Sequence, residues 1–196
     1  MSFAALSLED FAARLASAEP TPGGGAAAAL IAQLAAALVH MVLNHTIGRP
    51  KYAEVEPRMR EIAAEAEQLA GRAGQLMDED AAAFAGVAAA FTLARDDARR
   101  QSTVSAACQR ATDVPLEVMR IAARVAELAR EVALNGNRTL SSDARAALIA
   151  AQAAAEMSSG NVQANRPFIS DSAWADHAAA EAGNLLAQIA ALRAER

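Results

Sequence analysis

The junction at residues 20–25, Pro-Thr-Pro-Gly-Gly-Gly, and the uncharged run over residues 26–43 constrain this chain most. The prolines fix φ and stop an upstream helix from entering the stretch. The glycines Gly23, Gly24 and Gly25 bring bare backbone N–H groups to the surface, and the alanines after them have high helix propensity. The junction therefore predicts a glycine loop that opens a helix, where free N–H groups would suit an anion or a carbonyl oxygen. A hinge between two helices is the alternative interpretation.

The composition predicts how such helices pack. Of the 196 residues, 54% are hydrophobic but only 4% are aromatic, and alanine supplies much of the hydrophobic share. Because alanine buries little area, the helices must approach closely over long contacts. The sequence predicts an all-α fold, a compact bundle of long, alanine-rich helices in one domain over residues 1–196. Association with further copies would bury more apolar surface, so we expect an oligomer.

Charge and cysteine content narrow the class of protein. The net charge is −5 and no basic stripe is visible, which argues against a nucleic-acid partner. Cys108 is the single cysteine, so no internal disulfide can form, and a reducing, cytoplasmic compartment is expected. No secretion signal is recognised at the N-terminus. Residues 26–43 reach the length of a membrane span, but they contain Gln33 and His40 and are rich in alanine rather than leucine. We predict a buried core helix there and no membrane contact.

Capping residues and helix breakers divide the chain into helices. Ser7 with Asp10 resembles a capping box, Asn135-Gly136 is a strong stop, and Pro115 is expected to split one helix into two. Predicted starts lie at Asp96 or Asp97, at Ser141 or Ser142, and at Ser170 or Asp171. The predicted helices cover residues 8–15, 26–46, 57–93, 98–112, 115–134, 142–165 and 173–193. No segment has the pattern of a strand.

Polar side chains on these apolar helices are the candidates for chemistry. The histidines His40, His45 and His177 have no metal-ligand spacing, so no metal site is predicted. Asp80 has Phe84 one helical turn beyond it, which could place both in a pocket. Carboxylates and amides of this kind can hydrogen-bond a polar heterocycle and stabilise a cation. The set comprises Asn44, Asp80, Asn137, Asp143, Asn161, Asn165 and Asp171.

A series of short motifs adds to this interpretation of the polar residues. In chain order they are residues 20–25, Asn44-His45-Thr46-Ile47-Gly48 with Lys51-Tyr52, Asp80 with Ala83-Phe84, Asp113-Val114-Pro115-Leu116, Gly136-Asn137, Ser142-Asp143-Ala144, and Asn161-Val162 with Asn165. In this order they resemble the cyclodeaminase/cyclohydrolase family of folate enzymes. The resemblance spans roughly residues 10–172.

The resemblance implies a fold, an activity and a site. Members are compact helical proteins that associate as dimers. They hydrolyse methenyltetrahydrofolate to formyltetrahydrofolate, or close the ring of formiminotetrahydrofolate with release of ammonia. A small-molecule folate is the expected partner, and no metal or organic cofactor is expected. Asp143 is the first candidate and Asp80 the second for the catalytic base that also stabilises the cation. The candidate substrate-binding residues are Gly23, Gly24, Gly25, Asn44, Lys51, Tyr52, Arg100, Asn137, Ser142, Asn161 and Asn165.

Two alternatives to an active folate enzyme stay open. Where the family has Leu-Pro-Lys after an aromatic residue, this chain has Leu93-Ala94-Arg95 and a shorter loop before Arg100. If that lysine is catalytic, the chain would be a catalytically impaired folate-binding relative. The other alternative is a structural helical assembly module, although a scaffold has little use for polar residues on apolar helices.

The spacing of two candidates poses a geometric problem. Asp143 and Asn161 are 18 residues apart, so on one straight helix they share a face but lie ~27 Å apart. Either the helix breaks at residues 158–160, or a second subunit completes the pocket. The resemblance to dimeric proteins favours the second interpretation.

Overall fold

Six α-helices make up the fold in the computed structural model, which describes residues 2–194. Short 3-10 turns lie between several of them, and no strand occurs within the described residues. The prediction of an all-α fold is confirmed. The helices are α1 (Leu8–Leu15), α2 (Gly24–Asn44), α3 (Glu56–Phe91), α4 (Arg100–Asn135), α5 (Ser141–Asn165) and α6 (Ser172–Ala194).

Helix α2 is the centre of the bundle and packs against α3, α4 and α5. Its first residue is Gly24, two residues before the predicted start, because Gly23 serves as the N-cap. By length and composition α2 could cross a membrane, but half of that apolar window is buried inside the protein. Small side chains make this close packing possible, as the alanine content predicted. The buried residues are Gly25, Ala26, Ala28, Ala29, Ala32, Ala35, Ala36, Val39, Val42 and Leu43.

Helices α3 and α4 are the longest, with 36 residues each, and they run antiparallel. Three arginine–glutamate pairs join them, and each arginine uses two nitrogens to hold both carboxylate oxygens. Along either helix the paired residues recur every seven positions. The pairs are Arg58 with Glu131, Arg124 with Glu65, and Arg72 with Glu117. We refer to them as the charge ladder.

The predicted break at Pro115 is wrong, since α4 runs through it without interruption. Proline lacks the N–H that would bond to the carbonyl four residues earlier, here that of Ala111. The Asn165 side chain supplies a substitute: its Nδ2 donates to Ala111 O at 3.1 Å. A tertiary contact therefore replaces the lost helical hydrogen bond, and the sequence of α4 alone does not reveal it.

Other helix starts differ in detail from the prediction. Neither Ser141 nor Ser142 caps α5, whose N-cap is Leu140. The last helix follows the expectation, because Asp171 Oδ1 accepts from the Trp174 N–H at 3.0 Å. Asp97 accepts from the Arg99 N–H, and α4 then begins at Arg100 rather than near residue 98.

Helix α5 is continuous from Ser141 to Asn165, so the interpretation that it breaks at residues 158–160 is wrong. Asp143 in its first turn and Asn161 in its last turns stay far apart along the helix. Within one chain, the two cannot contact the same small molecule.

Candidate functional site

A cleft of about 310 Å³ opens where the first turn of α2 meets α3, α4 and α5. The glycine loop forms one wall and the C-terminal turns of α5 form another. The prediction that the glycine loop opens a helix is confirmed, and a role for the loop in ligand binding stays a prediction. The lining residues are Pro20, Thr21, Gly23, Gly24, Gly25, Asp80, Ala83, Phe84, Val87, Ala111, Asn161, Ala164 and Asn165.

Gly25 and Asp80 are in close contact across this cleft. A Cβ atom at residue 25 would come within 2.5 Å of Asp80 Cγ, so only glycine leaves room for the carboxylate. The first N–H groups of α2 have no helical partner, and that of Ala26 donates toward Asp80. The loop thus holds a carboxylate against the positive end of a helix dipole.

The pKa of Asp80 is raised above its ordinary value of 3.8, chiefly because burial disfavours the charged form. The hydrogen bond from the Ala26 N–H opposes this shift without cancelling it. A half-buried carboxylate with a raised pKa in a cleft is a candidate general base, because its pKa is shifted toward neutral pH. The same environment favours binding of a cation beside it.

Two asparagines face Asp80 from α5. Asn161 makes no side-chain hydrogen bond to any described residue, so its amide can both donate to and accept from a ligand. Asn165 donates from Nδ2 to Ala111 O, and its Oδ1 has no partner among the described residues. Phe84 and Val87 form the apolar wall, and the Phe84 side chain is 46% exposed. The cleft therefore combines a flat apolar surface with a few convergent polar groups.

A second, wider cleft of about 610 Å³ begins one helical turn further along α3. Its floor is the edge-to-face pair of Phe91 and Phe168, with ring centroids 5.2 Å apart. The Arg100 guanidinium lies 5.5 Å from the Phe91 ring centroid and donates from Nε to Leu93 O at 3.0 Å. Arg95 also lines this cleft, and neither arginine forms a salt bridge with a described residue. Asp96 and Asp97 line the same cleft, and Asp97 is paired with Arg99. The guanidinium groups of Arg95 and Arg100 are the groups here that could contact an anionic part of a ligand.

The remaining candidates lie at the opposite end of α2. Asn137 is 8% exposed, and both polar atoms of its amide have partners: Nδ2 donates to His45 O, and Oδ1 accepts from Thr139 and from the Tyr52 hydroxyl. The Asn137 backbone N–H donates to Thr46 Oγ1 at 3.0 Å. This network fixes the turn between α4 and α5.

Other predicted residues surround this network. Asn44 is exposed and forms a 3.4 Å contact with His40 Nδ1, and the Lys51 Nζ lies 5.5 Å from the Tyr52 ring centroid. Ser142 and Asp143 lie in the first turn of α5. These residues do not line the cleft that contains Asp80.

The sequence-predicted residues thus form two groups within one chain. Helix α2 has 21 residues and separates them by roughly 30 Å. The two catalytic candidates, Asp143 and Asp80, fall into different groups. Their roles, and those of the predicted substrate-binding residues, stay predictions. The sequence reading did not select Val87, Ala111 and Ala164 as lining residues. Pro115 could have pointed to Ala111, whose carbonyl it leaves without a helical donor.

The part of the chain that the structure describes holds no group of three or more His, Cys, Asp or Glu side chains that could bind a metal ion. Cys108 is buried, and burial raises the pKa of its thiol. This thiol is therefore a core residue and not an activated nucleophile.

Comparison with known proteins adds an independent finding. The family model described as formiminotransferase-cyclodeaminase matches residues 7–184. A methenyltetrahydrofolate cyclohydrolase from Methylorubrum extorquens is 38% identical over 189 residues, which cover 94% of this chain and 91% of that protein. A formimidoyltransferase-cyclodeaminase from Rattus norvegicus is 30% identical over 145 residues, 72% of this chain but 27% of that longer protein.

The fold is also found among solved structures. The crystal structure of a formiminotetrahydrofolate cyclodeaminase from Thermotoga maritima superposes with a TM-score of 0.90 at 30% sequence identity. The match covers 96% of this chain and 92% of that chain. Both the architecture and the sequence are thus shared with proteins named for two related reactions.

Proposed function

The chain belongs to the formiminotransferase-cyclodeaminase family, and from this membership together with the cleft we propose that it is an enzyme of one-carbon tetrahydrofolates. The first activity proposed is hydrolysis of methenyltetrahydrofolate to formyltetrahydrofolate. It rests on the relative from Methylorubrum extorquens, which matches nearly the full length of both chains. The observation within the molecule that carries the proposal is the half-buried Asp80 carboxylate at the glycine loop, facing Asn161 and Asn165.

Asp80 can both stabilise the positive charge of the substrate and accept a proton in this reaction. The methenyl carbon lies between two nitrogens that share one positive charge, and a carboxylate beside it stabilises that cation. Burial strengthens this attraction because less water screens it. A water oxygen adds to the methenyl carbon while the carboxylate takes one of its protons. One ring C–N bond then breaks as its nitrogen gains a proton and the new hydroxyl loses one, which leaves a formyl group. Asp80 returns its proton to solvent.

The cleft also provides for recognition of the substrate. The flat pterin can lie along Phe84 and Val87, with its polar edge toward the two asparagines. The glycine-loop N–H groups can donate to a carbonyl oxygen. The negatively charged glutamyl end would extend along α3 into the second cleft, toward Arg100. In this proposal the reaction needs no metal or organic cofactor.

We further propose that the protein acts as a homodimer. Helix α2 carries no charged residue, yet half of its apolar window is not buried within the chain. Leu34 on α2 and Ile149 on α5 are 48% and 54% exposed, and these two helices pack on one another. A second copy would cover this surface. It would also be able to bring Asp143 of the partner subunit to the Asp80 cleft, which resolves the separation found within one chain. We propose a cytoplasmic protein with neither a nucleic-acid nor a membrane partner.

Ring closure of formiminotetrahydrofolate with loss of ammonia is the second activity proposed. The solved structure from Thermotoga maritima, with its TM-score of 0.90, favours it. The same carboxylate would serve, since this reaction passes through an adduct at the same carbon with ammonia instead of water as the partner. The two activities differ in the group that leaves, and the geometry of the cleft accommodates both.

One experiment separates these activities. The purified protein is incubated with methenyltetrahydrofolate, and loss of its near-ultraviolet band is followed against the spontaneous rate. Formiminotetrahydrofolate is tested in parallel, with ammonia release as the readout. Catalysed loss of the band establishes the cyclohydrolase, and ammonia release establishes the cyclodeaminase. Folate binding without turnover of either substrate would instead support the catalytically impaired relative. A protein that neither binds nor converts folates contradicts the proposed function.

A further inference from the structure

Pro115 lies inside α4 at a position where it costs the helix a hydrogen bond. Its missing N–H leaves the Ala111 carbonyl without the usual helical donor. Ala111 lines the Asp80 cleft, so the unused carbonyl is at the edge of the site. Asn165, from the last turn of α5, donates Nδ2 to it at 3.1 Å.

This contact determines which way the Asn165 amide points. A carbonyl oxygen only accepts hydrogen bonds, so the NH₂ group of the amide must face Ala111. The opposite end of the same amide, Oδ1, has no partner among the described residues, and the side chain lines the cleft. Asn161, one turn earlier, has no such constraint and can rotate its amide either way.

We propose that Pro115 is a positioning residue for substrate recognition. By leaving Ala111 O to the Asn165 NH₂ group, it fixes Asn165 Oδ1 as a hydrogen-bond acceptor for an N–H group of the substrate. The site then selects a heterocycle that presents a donor at this point, such as the N–H and amino groups along a pterin edge. The identity of the ligand rests on the proposed function. The coupling between Pro115 and Asn165 does not.

A double-mutant cycle tests this coupling. In Asn165→Asp the carboxylate cannot donate to Ala111 O, and two acceptors face each other. We expect KM to rise about tenfold, kcat to change less than ~3-fold, and Tm to fall by about 3 °C. In Pro115→Ala the new N–H satisfies Ala111 O and frees the amide to rotate. KM should rise a few fold with kcat preserved.

The combined variant gives the decisive result. With Ala at position 115, the Ala111 carbonyl has its helical donor, so an aspartate at 165 can turn its oxygens to the cleft. Pro115→Ala should therefore reverse most of the KM increase and most of the Tm decrease that Asn165→Asp causes. As a control, Pro115→Ala should not rescue Asn161→Asp. Pro57→Ala, a proline in the first turn of α3, should leave KM unchanged.

Additive effects of Pro115→Ala and Asn165→Asp on both KM and Tm would overturn the proposal. A KM for Pro115→Ala equal to that of Pro57→Ala would overturn it as well. If the wild-type protein converts no folate, the proposed function fails. The Tm cycle still decides whether Pro115 holds Asn165, because that measurement needs no substrate.

Discussion

Asp80 occupies the space that a side chain on Gly25 would take: a Cβ at position 25 would come within 2.5 Å of Asp80 Cγ. The carboxylate and the first turn of α2 therefore fit together only because residue 25 is glycine. The Ala26 N–H next to it donates toward the same carboxylate. The position of the candidate base is thus set by the glycine loop as much as by its own helix.

The substitution Gly25→Ala should move the Asp80 carboxylate out of place. A shift of about 1 Å at a catalytic group costs on the order of a hundredfold in rate, so we expect kcat/KM to fall by about that factor. Gly71→Ala is the matched control, because it lies on α3 with Asp80 and a Cβ there meets nothing within 4 Å. Equal activity of the two variants would show that Asp80 tolerates displacement and is not the base.

Asp80→Asn should remove the acidic limb of the pH–rate profile. The base must be deprotonated, and burial raises the pKa of Asp80 above 3.8. The wild-type rate should therefore fall, as pH decreases, at a pH higher than an ordinary aspartate would give. The variant should lose about a hundredfold in kcat and show no such limb. An unchanged limb in Asp80→Asn would assign it to another group.

The same raised pKa has a consequence for stability. An acid whose pKa is higher in the folded state destabilises the fold at pH values above that pKa, and the cost disappears as pH falls through it. Asparagine removes the charge but can still accept from the Ala26 N–H. We therefore expect Asp80→Asn to raise Tm at pH 7, with the gain vanishing in acid. Scanning calorimetry across this range measures it, and a lower Tm at pH 7 would contradict the assigned cause.

Asp143→Asn should keep folate affinity within a few fold and lower turnover by roughly a hundredfold or more. If Asp143 reaches the Asp80 cleft of the partner subunit, mixing Asp80→Asn with Asp143→Asn subunits should create one intact site per mixed dimer. Activity should then recover to about a quarter of wild type. No recovery would show that Asp143 does not complete the Asp80 cleft of the partner subunit. Equal loss of binding and turnover would point to a structural role for Asp143 in the first turn of α5.

Light scattering should give the mass of a dimer, or of a larger oligomer, at micromolar concentration. Leu34→Glu on α2 places a charge on the proposed contact surface, and it should produce monomers with reduced activity. Leu8→Glu serves as the control, since Leu8 is 70% exposed on the short helix α1 and should leave the mass unchanged. A wild-type monomer under these conditions would contradict the dimer.

The loop between α3 and α4 offers a test of the impaired-relative hypothesis. Arg95 stays charged at any working pH, whereas a lysine can transfer a proton. If that transfer limits the reaction, replacing residues 93–95 by Leu-Pro-Lys with about four extra loop residues should raise kcat and leave affinity nearly unchanged. A wild-type kcat of ~10 per second would show that the lysine is dispensable here.

The sequence predicted the helices well because their signals are local. Ser7 and Asp171 cap the helices that they were expected to cap, and the glycine loop opens α2. The break at Pro115 was wrong because its compensation comes from Asn165, which is 50 positions away in sequence. No local pattern carries that information.

In the candidate site, too, local relationships were predicted from the sequence and long-range ones were not. Asp80 and Phe84 line one cleft, as their spacing of one turn suggested. The grouping of the other candidates depends on the length of α2, which keeps Asn137 and Asp143 far from Asp80. The motifs gave the order of these residues along the chain but not their distances in space.

The charge ladder between α3 and α4 also determines which alignment of the two helices is allowed. Arginine and glutamate alternate along each helix at a spacing of seven residues. A slip of seven residues would keep apolar faces in contact, a real risk for helices rich in interchangeable alanines. Such a slip would, however, place like charges opposite each other, Arg58 against Arg124 and Glu65 against Glu117. It would also shift Ala111 by about 10 Å relative to Asp80. These surface ion pairs, each worth less than about 1 kcal/mol, thus contribute more to alignment than to stability. By excluding the misaligned bundle, they keep the two walls of the cleft opposite each other.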